Sequence, residues 1–582
     1  MTELIYTAIT FAPVQGFIEK SRKLRDLYGS SYLLSFLAQT VCLKAQSSNC
    51  KIVSPALPDV TQGLPNQIIV EGNFSAEEAR ASLMNTWKWL LEGCRDWIEK
   101  EVQGDWEYAW RRDWKLWENN SWEFFCVHGK PQESISLVRQ RLNEAKRSRA
   151  WTAVNWQGES STLSGADAVA YPEMGKKKDP RNGYPALNRG IDGKTSVERF
   201  YKALSLRLGR AFAEYHHLSM ENSIEYGTAF IDPDEELSIP ELVKRLITHR
   251  AIIEHLKQRV EHAPKHLSDL AATIDRDLDI ETFRELNRLQ NDQWTGWFMG
   301  DGDGASEYLR WVGRNSSHDE STLTATFSEG MREWGRAFKQ TYLLSDHPGR
   351  VVYAGGDDFL GVLYHPDRQI EPRVCLHWLS QFRSQTWNSL GNWTGEHEKI
   401  TASVGFVWAS PQVPQREVLQ HCREAEKAAK AGGKDRVALR VLFAGGNHLE
   451  WICPWRILEA GLFENYRDRN NVSNALDQAS WTHFYNDVAA LEARHAFGAT
   501  LEESREIAIA LFQIYFPDLS DLLENPNWWN QRNEYKVIQA GILGDEDAYT
   551  INNQIDIKKV NEAINRWVIN LAKVGFYLCS NI

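Results

Sequence analysis

The chain has 582 residues, of which 42% are hydrophobic and 25% are charged, and its formal net charge is −12. This length is too great for one hydrophobic core, so we expect about three to five domains, and the negative charge excludes an overall basic footprint for nucleic acid. No apolar stretch reaches the roughly 18 residues that span a bilayer, and the start of the chain lacks the features of a signal peptide. We therefore expect a cytoplasmic globular protein without membrane contact.

The first 150 residues alternate between strand and helix patterns. Strands are predicted at 4–11, 51–54, 67–70 and 122–128, and helices at 16–44 and from Ser75 toward Trp117. Ser75 and Glu78 form a capping-box pattern, which marks the start of the second helix. The order strand, helix, strand, strand, helix, strand predicts the ferredoxin-like arrangement on which palm domains are built.

The segment from 151 to 290 is polar at first and then predicted to be helical. Helical spacing of apolar residues covers 197–217, 239–262 and 280–289. A run of three lysines at 176–178 is predicted to be a solvated loop, with contact to RNA or to a partner subunit as the alternative.

Residues 291–455 repeat the strand and helix order of the first segment. Strands are predicted at 297–299, 400–408 and 437–443, a strand-turn-strand at 350–363, and helices at 327–343, 371–384 and 416–431. We expect the strand at 437–443 to close this sheet. After Pro454 the chain is predicted to be mostly helical, most clearly at 501–515 and 555–572.

Two adjacent carboxylates, Asp357 and Asp358, stand at the predicted tip of the strand-turn-strand. Gly355 and Gly356 precede them, permit the turn and let a nucleotide approach the backbone. Because two neighbouring carboxylates repel each other, this arrangement is costly unless cations neutralise it. For this motif alone, an ordinary aspartate-rich turn that binds no metal is the alternative.

A second acidic motif, Asp301 and Asp303, follows the strand at 297–299. A calcium loop is excluded because Ser306 replaces the required glycine and Val312 replaces the final glutamate. In a palm domain the end of the first strand lies beside the next hairpin, so Asp301 and Asp357 are expected to share a site for two Mg²⁺ or Mn²⁺ ions. Such a pair of metals activates a hydroxyl and holds a triphosphate.

A basic turn follows the predicted helix at 416–431. Lys430 and Lys434 are four residues apart, so both could reach a triphosphate across the edge of the sheet. The alternative is a basic helix end, capped by glycine, that complements the helix dipole. The stretch lacks the GxxxxGK[ST] pattern of a P-loop.

Together these three motifs resemble those of the large subunit of type III CRISPR complexes, of the Cmr-complex kind. The N-terminal run resembles the first palm of that family in the segments Pro13-Val14-Gln15, Phe17-Ile18, Ser21-Arg22-Lys23, Arg25-Asp26-Leu27, Gly29-Ser30 and Leu33-Leu34-Ser35, and Leu64-Pro65-Asn66 matches its following element. The resemblance extends by motif from residue 1 to about 455 and continues beyond by helical character.

The resemblance implies an α+β fold with two ferredoxin-like palm domains, a helical insertion domain and a C-terminal helical domain. The expected ranges are 1–150 for a non-catalytic first palm, 151–290 for the insertion, 291–455 for the catalytic second palm and 456–582 for the C-terminal domain. Members of the family make cyclic oligoadenylates from ATP when guide RNA pairs with target RNA. The implied partners are therefore the other subunits of the complex, both RNAs and ATP.

The same resemblance assigns roles to the motif residues. Asp301 and Asp357 would bind the metal ions, with Asp303 and Asp358 in support, so that Asp301, Asp357 and Asp358 are the expected catalytic residues. The expected nucleotide-binding residues are Gly355, Gly356, Lys430 and Lys434.

The chain departs from the family at several positions. Many members carry an N-terminal HD nuclease domain, whereas the palm motifs begin almost at residue 1 here, so we expect no DNA cleavage by this chain. Its only His-Asp dipeptide, His318-Asp319, lies inside the second palm segment. Ser161 and Ser164 stand where the insertion usually has zinc-binding cysteines, so no zinc is expected. Ala305-Ser306 stand where Met-Gly is usual.

Two other functions stay open at this point. One is a structural subunit that anchors the guide RNA and has a silent palm, which the intact aspartates disfavour. The other is an enzyme similar to diguanylate cyclases, for which the first palm and both helical domains are excess material.

Overall fold

The computed structural model describes residues 4–56, 67–149, 154, 156, 159–175, 193–259, 264, 266–277, 292–315, 320–344, 349–365, 368–388, 400–468, 480–498, 504–532 and 537–579. The chain forms two compact units, one of residues 1–287 with 309–332 and the other of residues 288–308 with 333–582. The finer division into four domains stays a prediction. Four segments named in the sequence analysis lie outside the described residues: the lysine run at 176–178, the predicted helix at 280–289, Leu64-Pro65-Asn66 and His318-Asp319.

The first unit is built on a four-stranded antiparallel sheet with the strand order β2-β3-β1-β4. Its strands are β1 (Tyr6–Ala12), β2 (Lys51–Ser54), β3 (Gln67–Glu71) and β4 (Glu123–His128). Its helices are α1 (Gln15–Glu19), α2 (Leu24–Ser47), α3 (Ala76–Glu101), α4 (Arg111–Asn120), α5 (Ile135–Arg147), α6 (Gly193–His216), α7 (Ser223–Phe230), α8 (Ile239–Leu246), α9 (Arg250–Gln258) and α10 (Leu267–Asp277). One helical segment follows β1 and another follows β3, which is the ferredoxin-like connectivity that the sequence predicted.

The alternation of side chains along β1 places Tyr6 and Ala8 on one face of this sheet. There they pack with Ile69 of β3 and with Ile135 and Val138 of α5, and all five side chains are buried. Helix α5 was not predicted from the sequence. It supplies the apolar cover that this face of the sheet needs.

Three predicted helices are each divided in the structure. The helical pattern at 16–44 is interrupted between α1 and α2, the pattern at 75–117 between α3 and α4, and the pattern at 239–262 between α8 and α9. In the last case His249 caps α9, because its Nδ1 accepts a hydrogen bond from the N–H of Ala251 at 3.1 Å. Apolar spacing continues through such a break, so the sequence pattern alone does not reveal it.

A buried ion cluster joins α2 to α8 within this unit. The side chains of Arg245 and Asp26 are fully buried, with Arg245 Nε 2.7 Å from Asp26 Oδ1, and Arg245 also pairs with Glu235. Lys23 Nζ lies 3.1 Å from Glu235 Oε2. Burial alone would raise the pKa of Glu235, but the charges of Arg245 and Lys23 outweigh it and hold that pKa at about 2. Gly29 permits the close approach, since a Cβ there would lie 2.2 Å from a carbonyl oxygen of α8.

The second unit contains a six-stranded sheet with the order β10-β9-β8-β5-β7-β6, in which only β8 and β9 are parallel neighbours. Its strands are β5 (Thr295–Asp303), β6 (Arg350–Ala354), β7 (Phe359–Leu363), β8 (Thr401–Ala409), β9 (Arg436–Leu442) and β10 (His448–Pro454). The helices along this segment are α11 (Ala305–Asn315) and α12 (Glu320–Leu344), which contain residues of both units, followed by α13 (Pro372–Gln381) and α14 (Gln415–Ala431). The four strands β6-β7-β5-β8 form the second ferredoxin-like palm.

Two predictions for this sheet are corrected by the structure. The strand at 437–443 does not close the sheet, because residues His448–Pro454 pair with it as the edge strand β10. The strand predicted at 297–299 is longer than expected, because Asp301 and Asp303 remain paired with β8 as part of β5. Apolar content marks only the middle of β5, since its end is built from glycine and aspartate.

The rest of the second unit is mainly helical, as predicted. Its helices are α15 (Trp455–Glu459), α16 (Thr482–Ala493), α17 (Ser504–Tyr515) and α18 (Ile557–Cys579), and two small hairpins join β11 (Gln531–Arg532) to β12 (Val537–Gln539) and β13 (Thr550–Ile551) to β14 (Gln554–Ile555). Aromatic rings fill its core, with Tyr466 stacked on Trp481 at a centroid distance of 4.3 Å. Among the described residues, no helix is both long enough and apolar enough to cross a membrane.

Candidate active site

The hairpin of β6 and β7 lies directly beside the end of β5. Strands β5 and β7 pair with Gly300 opposite Phe359, and beyond that pair the N–H of Gly302 donates to the carbonyl oxygen of Asp357 at 3.1 Å. The structure therefore brings the Asp301 motif and the Asp357 motif to the same edge of the palm.

The glycine at position 302 is required by this close approach. A Cβ at Gly302 would lie 3.0 Å from the Cβ of Asp357 and 3.5 Å from side-chain atoms of Ile400 and Trp387. Any larger side chain would push the hairpin tip away from β5. The glycine thus sets the distance between the two acidic motifs.

Alternation along β5 decides which way its carboxylates face. Asp301 and Asp303 are two residues apart, so they share one face of the sheet, and this is the face covered by α14. The helix can approach because β8 has a glycine there: a Cβ at Gly405 would lie 2.3 Å from the carbonyl oxygen of Cys422 in α14. The last turns of α14 consequently lie over the acidic end of β5.

Lys430 of α14 contacts the acidic cluster directly. Its Nζ pairs with Asp301 Oδ2 and lies 2.7 Å from Glu426 Oε1, one turn earlier on the same helix. Burial, with a smaller contribution from the nearby charge of Lys434, lowers the pKa of Lys430 to about 8. In this structure Lys430 pairs with carboxylates, and its contact with a phosphate stays a prediction.

Asp303 is enclosed by protein donors. Its carboxylate accepts hydrogen bonds from Ser403 Oγ at 2.8 Å, from Thr401 Oγ1 at 3.1 Å and from the N–H of Asp435 at 2.9 Å. Burial raises the pKa of Asp303 above its usual range, against the effect of these hydrogen bonds. Asp303 thus ties the end of β5 to β8 and to the turn after α14, and its support of a metal ion stays a prediction.

The hairpin tip carries two adjacent carboxylates, Asp357 and Asp358, in surroundings that disfavour their negative charge. Asp358 is exposed at the tip, and its pKa is raised above its usual range by the surrounding protein and by the charges of Asp357 and Glu426. Burial likewise raises the pKa of Glu426 to about 7, with a contribution from the charge of Asp303. The carboxylates of Asp357, Asp358 and Glu426 therefore interact with one another, and Lys430 links Asp301 to Glu426.

The turn that follows α14 is held by a second group of charges. Arg383 Nη1 lies 3.1 Å from Asp435 Oδ2, and Arg383 also pairs with Glu459. Burial raises the pKa of Asp435 to about 7, with Arg383 opposing the shift and Asp303 increasing it. Lys434 points its ammonium toward α11, where Nζ lies 3.9 Å from Glu307 Oε1.

Sequence reasoning missed three of these residues. Glu426 stands four residues before Lys430, a spacing that places both on one face of a helix, and this signal could have found it. Asp435 stands directly after Lys434 in the motif already singled out. No pattern in the sequence points to Arg383, because it reaches the site from a helical segment about fifty residues away along the chain.

The chemistry of this cluster fits a divalent cation. Carboxylate oxygens are the ligands that Mg²⁺ prefers, and Oε1 of Glu426 is buried without a hydrogen bond of good geometry although Lys430 is near. In the described part of the chain, no three His, Cys, Asp or Glu side chains already converge as a complete ligand set. The case for a divalent cation therefore depends on the carboxylate oxygens present and on their combined negative charge.

Comparison with known proteins identifies the family. The family described as Cas10/Cmr2, second palm domain, matches residues 295–438, which contain both acidic motifs and Lys434. The family described as CRISPR-associated protein Cmr2, N-terminal, matches residues 6–117, which contain the first sheet up to β3. Both segments thus match models of the Cas10/Cmr2 family. No curated protein sequence matches it.

Solved structures are similar to this chain at low sequence identity. An apo structure of the type III-B Cmr-beta complex contains a chain with a TM-score of 0.54 and 13% identity, and the match covers 98% of this chain and 81% of that one. The Csm1–Csm4 cassette in complex with cA4 matches at a TM-score of 0.42 and 14% identity over 99% of this chain and 70% of that one. The same cassette in complex with one ATP matches at 0.41 and 14% over the same shares.

Proposed function

We propose that this chain is the large subunit of a type III RNA-guided complex and that its second palm joins ATP molecules into cyclic oligoadenylates when target RNA binds. The observation that carries the proposal is the acidic cluster of Asp301, Asp357, Asp358 and Glu426 at the edge of the family-matched palm. A scaffold protein has no use for an acidic cluster in which burial and neighbouring carboxylates raise the pKa values of Asp358 and Glu426. The cluster instead suits a site that receives cations and a polyphosphate.

Asp301 and Asp357 are the proposed metal ligands, with Asp358 beside them. Bound Mg²⁺ or Mn²⁺ would stabilise the attacking and the leaving oxygens of the reaction. The remaining carboxylates have other tasks: Asp303 keeps the end of β5 and the following turn in place, and Glu426 sets the position of Lys430.

The proposed reaction is a nucleotidyl transfer. The 3′-hydroxyl oxygen of one ATP forms a bond to the α-phosphorus of another, the bond from that phosphorus to the β-phosphate oxygen breaks, and pyrophosphate leaves. The proton of the hydroxyl passes to solvent or to a carboxylate of the cluster. Gly355 and Gly356 leave room for the nucleotide at the hairpin, and Lys430 and Lys434 supply positive charge for its triphosphate.

The proposed partners follow from the family. The similar chain of known structure belongs to a type III-B Cmr-beta complex, so we propose that this chain also works with other effector subunits, a guide RNA and a target RNA. Because the net charge of this chain is −12, we propose that RNA is held by local basic surfaces or by the partner subunits.

The test replaces both hairpin aspartates by alanine. In a complex assembled with target RNA, the Asp357→Ala, Asp358→Ala variant should lose oligoadenylate synthesis by at least about 10²–10³-fold, because preorganised electrostatic groups typically contribute that much. Assembly and target RNA binding should stay unchanged. Asp518→Ala is the matched control, since Asp518 is exposed in the C-terminal region and its carboxylate pairs with Arg467. Synthesis within tenfold of the wild type in the double variant would contradict the proposal.

A further inference from the structure

The turn after α14 has an unusual backbone. Three consecutive residues have positive φ angles, namely Gly433 at 119°, Lys434 at 67° and Asp435 at 51°. Glycine adopts such angles freely, but lysine and aspartate do so only at a cost in energy, and strained residues persist where the surrounding structure fixes them. Lys434 is one of the two lysines proposed to face the triphosphate, so whatever holds this turn also decides where that charge points.

Contacts from within the palm account for only part of the restraint. Asp303 accepts a hydrogen bond from the N–H of Asp435 at 2.9 Å, and Arg436 Nε donates to the carbonyl oxygen of Lys434 at 2.9 Å. The carbonyl oxygen of Gly433, at the first of the three positions, accepts hydrogen bonds from outside the palm. Its donors come from the C-terminal segment.

Asn530 is the centre of this C-terminal support. Its Nδ2 donates to the carbonyl oxygen of Gly433 at 2.8 Å and to Asp545 Oδ1 at 2.9 Å. Its Oδ1 accepts from Arg436 Nη2 at 3.2 Å and from the N–H of Gly541 at 2.8 Å. A single amide thus uses two donor and two acceptor interactions to join the strained turn, the start of β9 and the loop at 541–545.

The packing around Asn530 leaves little freedom. A Cβ at Gly433 would lie 2.6 Å from Asn530 Nδ2, and a Cβ at Gly544 would lie 2.2 Å from the carbonyl oxygen of Gly432. Arg532 Nη2 also donates to the carbonyl oxygen of Gly433 at 3.1 Å. We call the segment 530–532 together with 541–545 the brace.

We propose that Asn530 is a positioning residue for the nucleotide site and that the brace fixes the direction of Lys434. The inference rests on the proposed function, in which Lys434 contacts the triphosphate. Asn530 itself does not touch the nucleotide; it acts through the carbonyl oxygen of Gly433. The C-terminal region is therefore part of the active-site apparatus, although every residue so far assigned a chemical role lies in the palm.

The test measures nucleotide binding, which needs no turnover. The full chain with Mg²⁺ is titrated with the α,β-methylene analogue of ATP, whose α–β linkage cannot be cleaved. Asn530→Ala is expected to weaken binding about tenfold, the usual scale for one lost hydrogen bond to a positioned group. Asn530→Asp keeps the acceptor toward Arg436 and Gly541 but lacks the donor toward Gly433, so it should weaken binding to a similar extent even if Asn530→Ala folds poorly.

A double-mutant comparison separates positioning from general damage. In a Lys434→Ala background, Asn530→Asp should cause no further loss of binding, because its effect passes through Lys434. Ile538→Ala is the matched control from the same region, since this side chain is 61% exposed on β12, and it should leave the dissociation constant unchanged. Additive losses, or unchanged binding in Asn530→Asp, would overturn the role of the brace.

The proposed function and the brace fail in different ways. If Lys434→Ala weakens analogue binding while Asn530→Asp does not, the brace is refuted and the phosphate role of Lys434 stands. If Lys434→Ala itself leaves binding unchanged, the phosphate role is refuted and the brace proposal falls with it.

Discussion

Asp26 gives the sharpest stability prediction, because its surroundings are fully specified. The residue belongs to the Arg-Asp-Leu segment near the N-terminus, and its buried carboxylate accepts four hydrogen bonds. Two come from the N–H groups of Arg22 and Lys23, each at 2.9 Å, and two from Arg245, at 2.7 Å to Nε and 3.1 Å to Nη2. The perturbation is Asp26→Ala, which leaves a buried guanidinium with only Glu235 as its acidic partner.

The expected loss of stability follows from these contacts. Removing one partner of a buried ion pair typically costs about 3–5 kcal/mol, and the uncapped N–H groups at the start of α2 add about 1 kcal/mol. We therefore expect the free energy of unfolding of the first unit to fall by about 4–6 kcal/mol. For a unit of this size, that loss corresponds to a decrease of roughly 10 °C in the midpoint of its thermal transition.

The assay is thermal unfolding of the full chain, followed by circular dichroism and compared at the first transition because a chain with two units need not unfold in one step. The matched control is Glu78→Ala, which removes an exposed pair with Lys44 at 3.7 Å and should cost less than about 1 kcal/mol. Binding of the ATP analogue by Asp26→Ala below its transition should equal that of the wild type. A shift no larger than that of the control would refute the reasoning.

Two further predictions concern acid stability and site geometry. Pairing holds the pKa of Glu235 at about 2, below its ordinary value of 4.5. The contribution of ionised Glu235 to the free energy of unfolding is therefore present above about pH 4.5 and is lost as the pH falls toward 2. Glu235→Gln should therefore be less stable than the wild type by about 3 kcal/mol at neutral pH, and chemical unfolding should show this difference shrinking between pH 5 and pH 2; a constant difference would contradict the assignment. Gly302→Val should lower oligoadenylate synthesis by about 10²-fold, because its side chain displaces Asp357, and the overpacking should cost about 1–3 kcal/mol of stability. Activity equal to the wild type would show that the hairpin need not lie this close.

The sequence was most informative where local chemistry and topology agree. Alternation, capping and turn residues predicted both ferredoxin-like sheets, and the palm topology then predicted that Asp301 lies beside Asp357. Both predictions depend on short-range rules, namely the period of a strand and the order of strands in a known arrangement. The same rules could not give the length of β5, whose end consists of glycine and aspartate.

Residues that act from a distance along the chain escaped prediction. Arg383 and Asn530 reach the turn after α14 from segments separated from it by about fifty and about a hundred residues, and neither belongs to a recognisable motif. The positive φ of Lys434 and Asp435 is equally invisible in the sequence, because it is imposed by hydrogen bonds from those distant segments. Likewise, Asp26 belongs to a segment that resembles a family motif, but only the structure shows that it pairs with a buried arginine.

The most direct test of the central claim is the identity of the product. The complex containing this chain is incubated with ATP, Mg²⁺ and target RNA, and the masses of the nucleotides formed are determined. The account predicts rings of adenylate units joined with release of one pyrophosphate per unit, formed with target RNA and not with a mismatched RNA. Unchanged ATP in the presence of bound target RNA would contradict it.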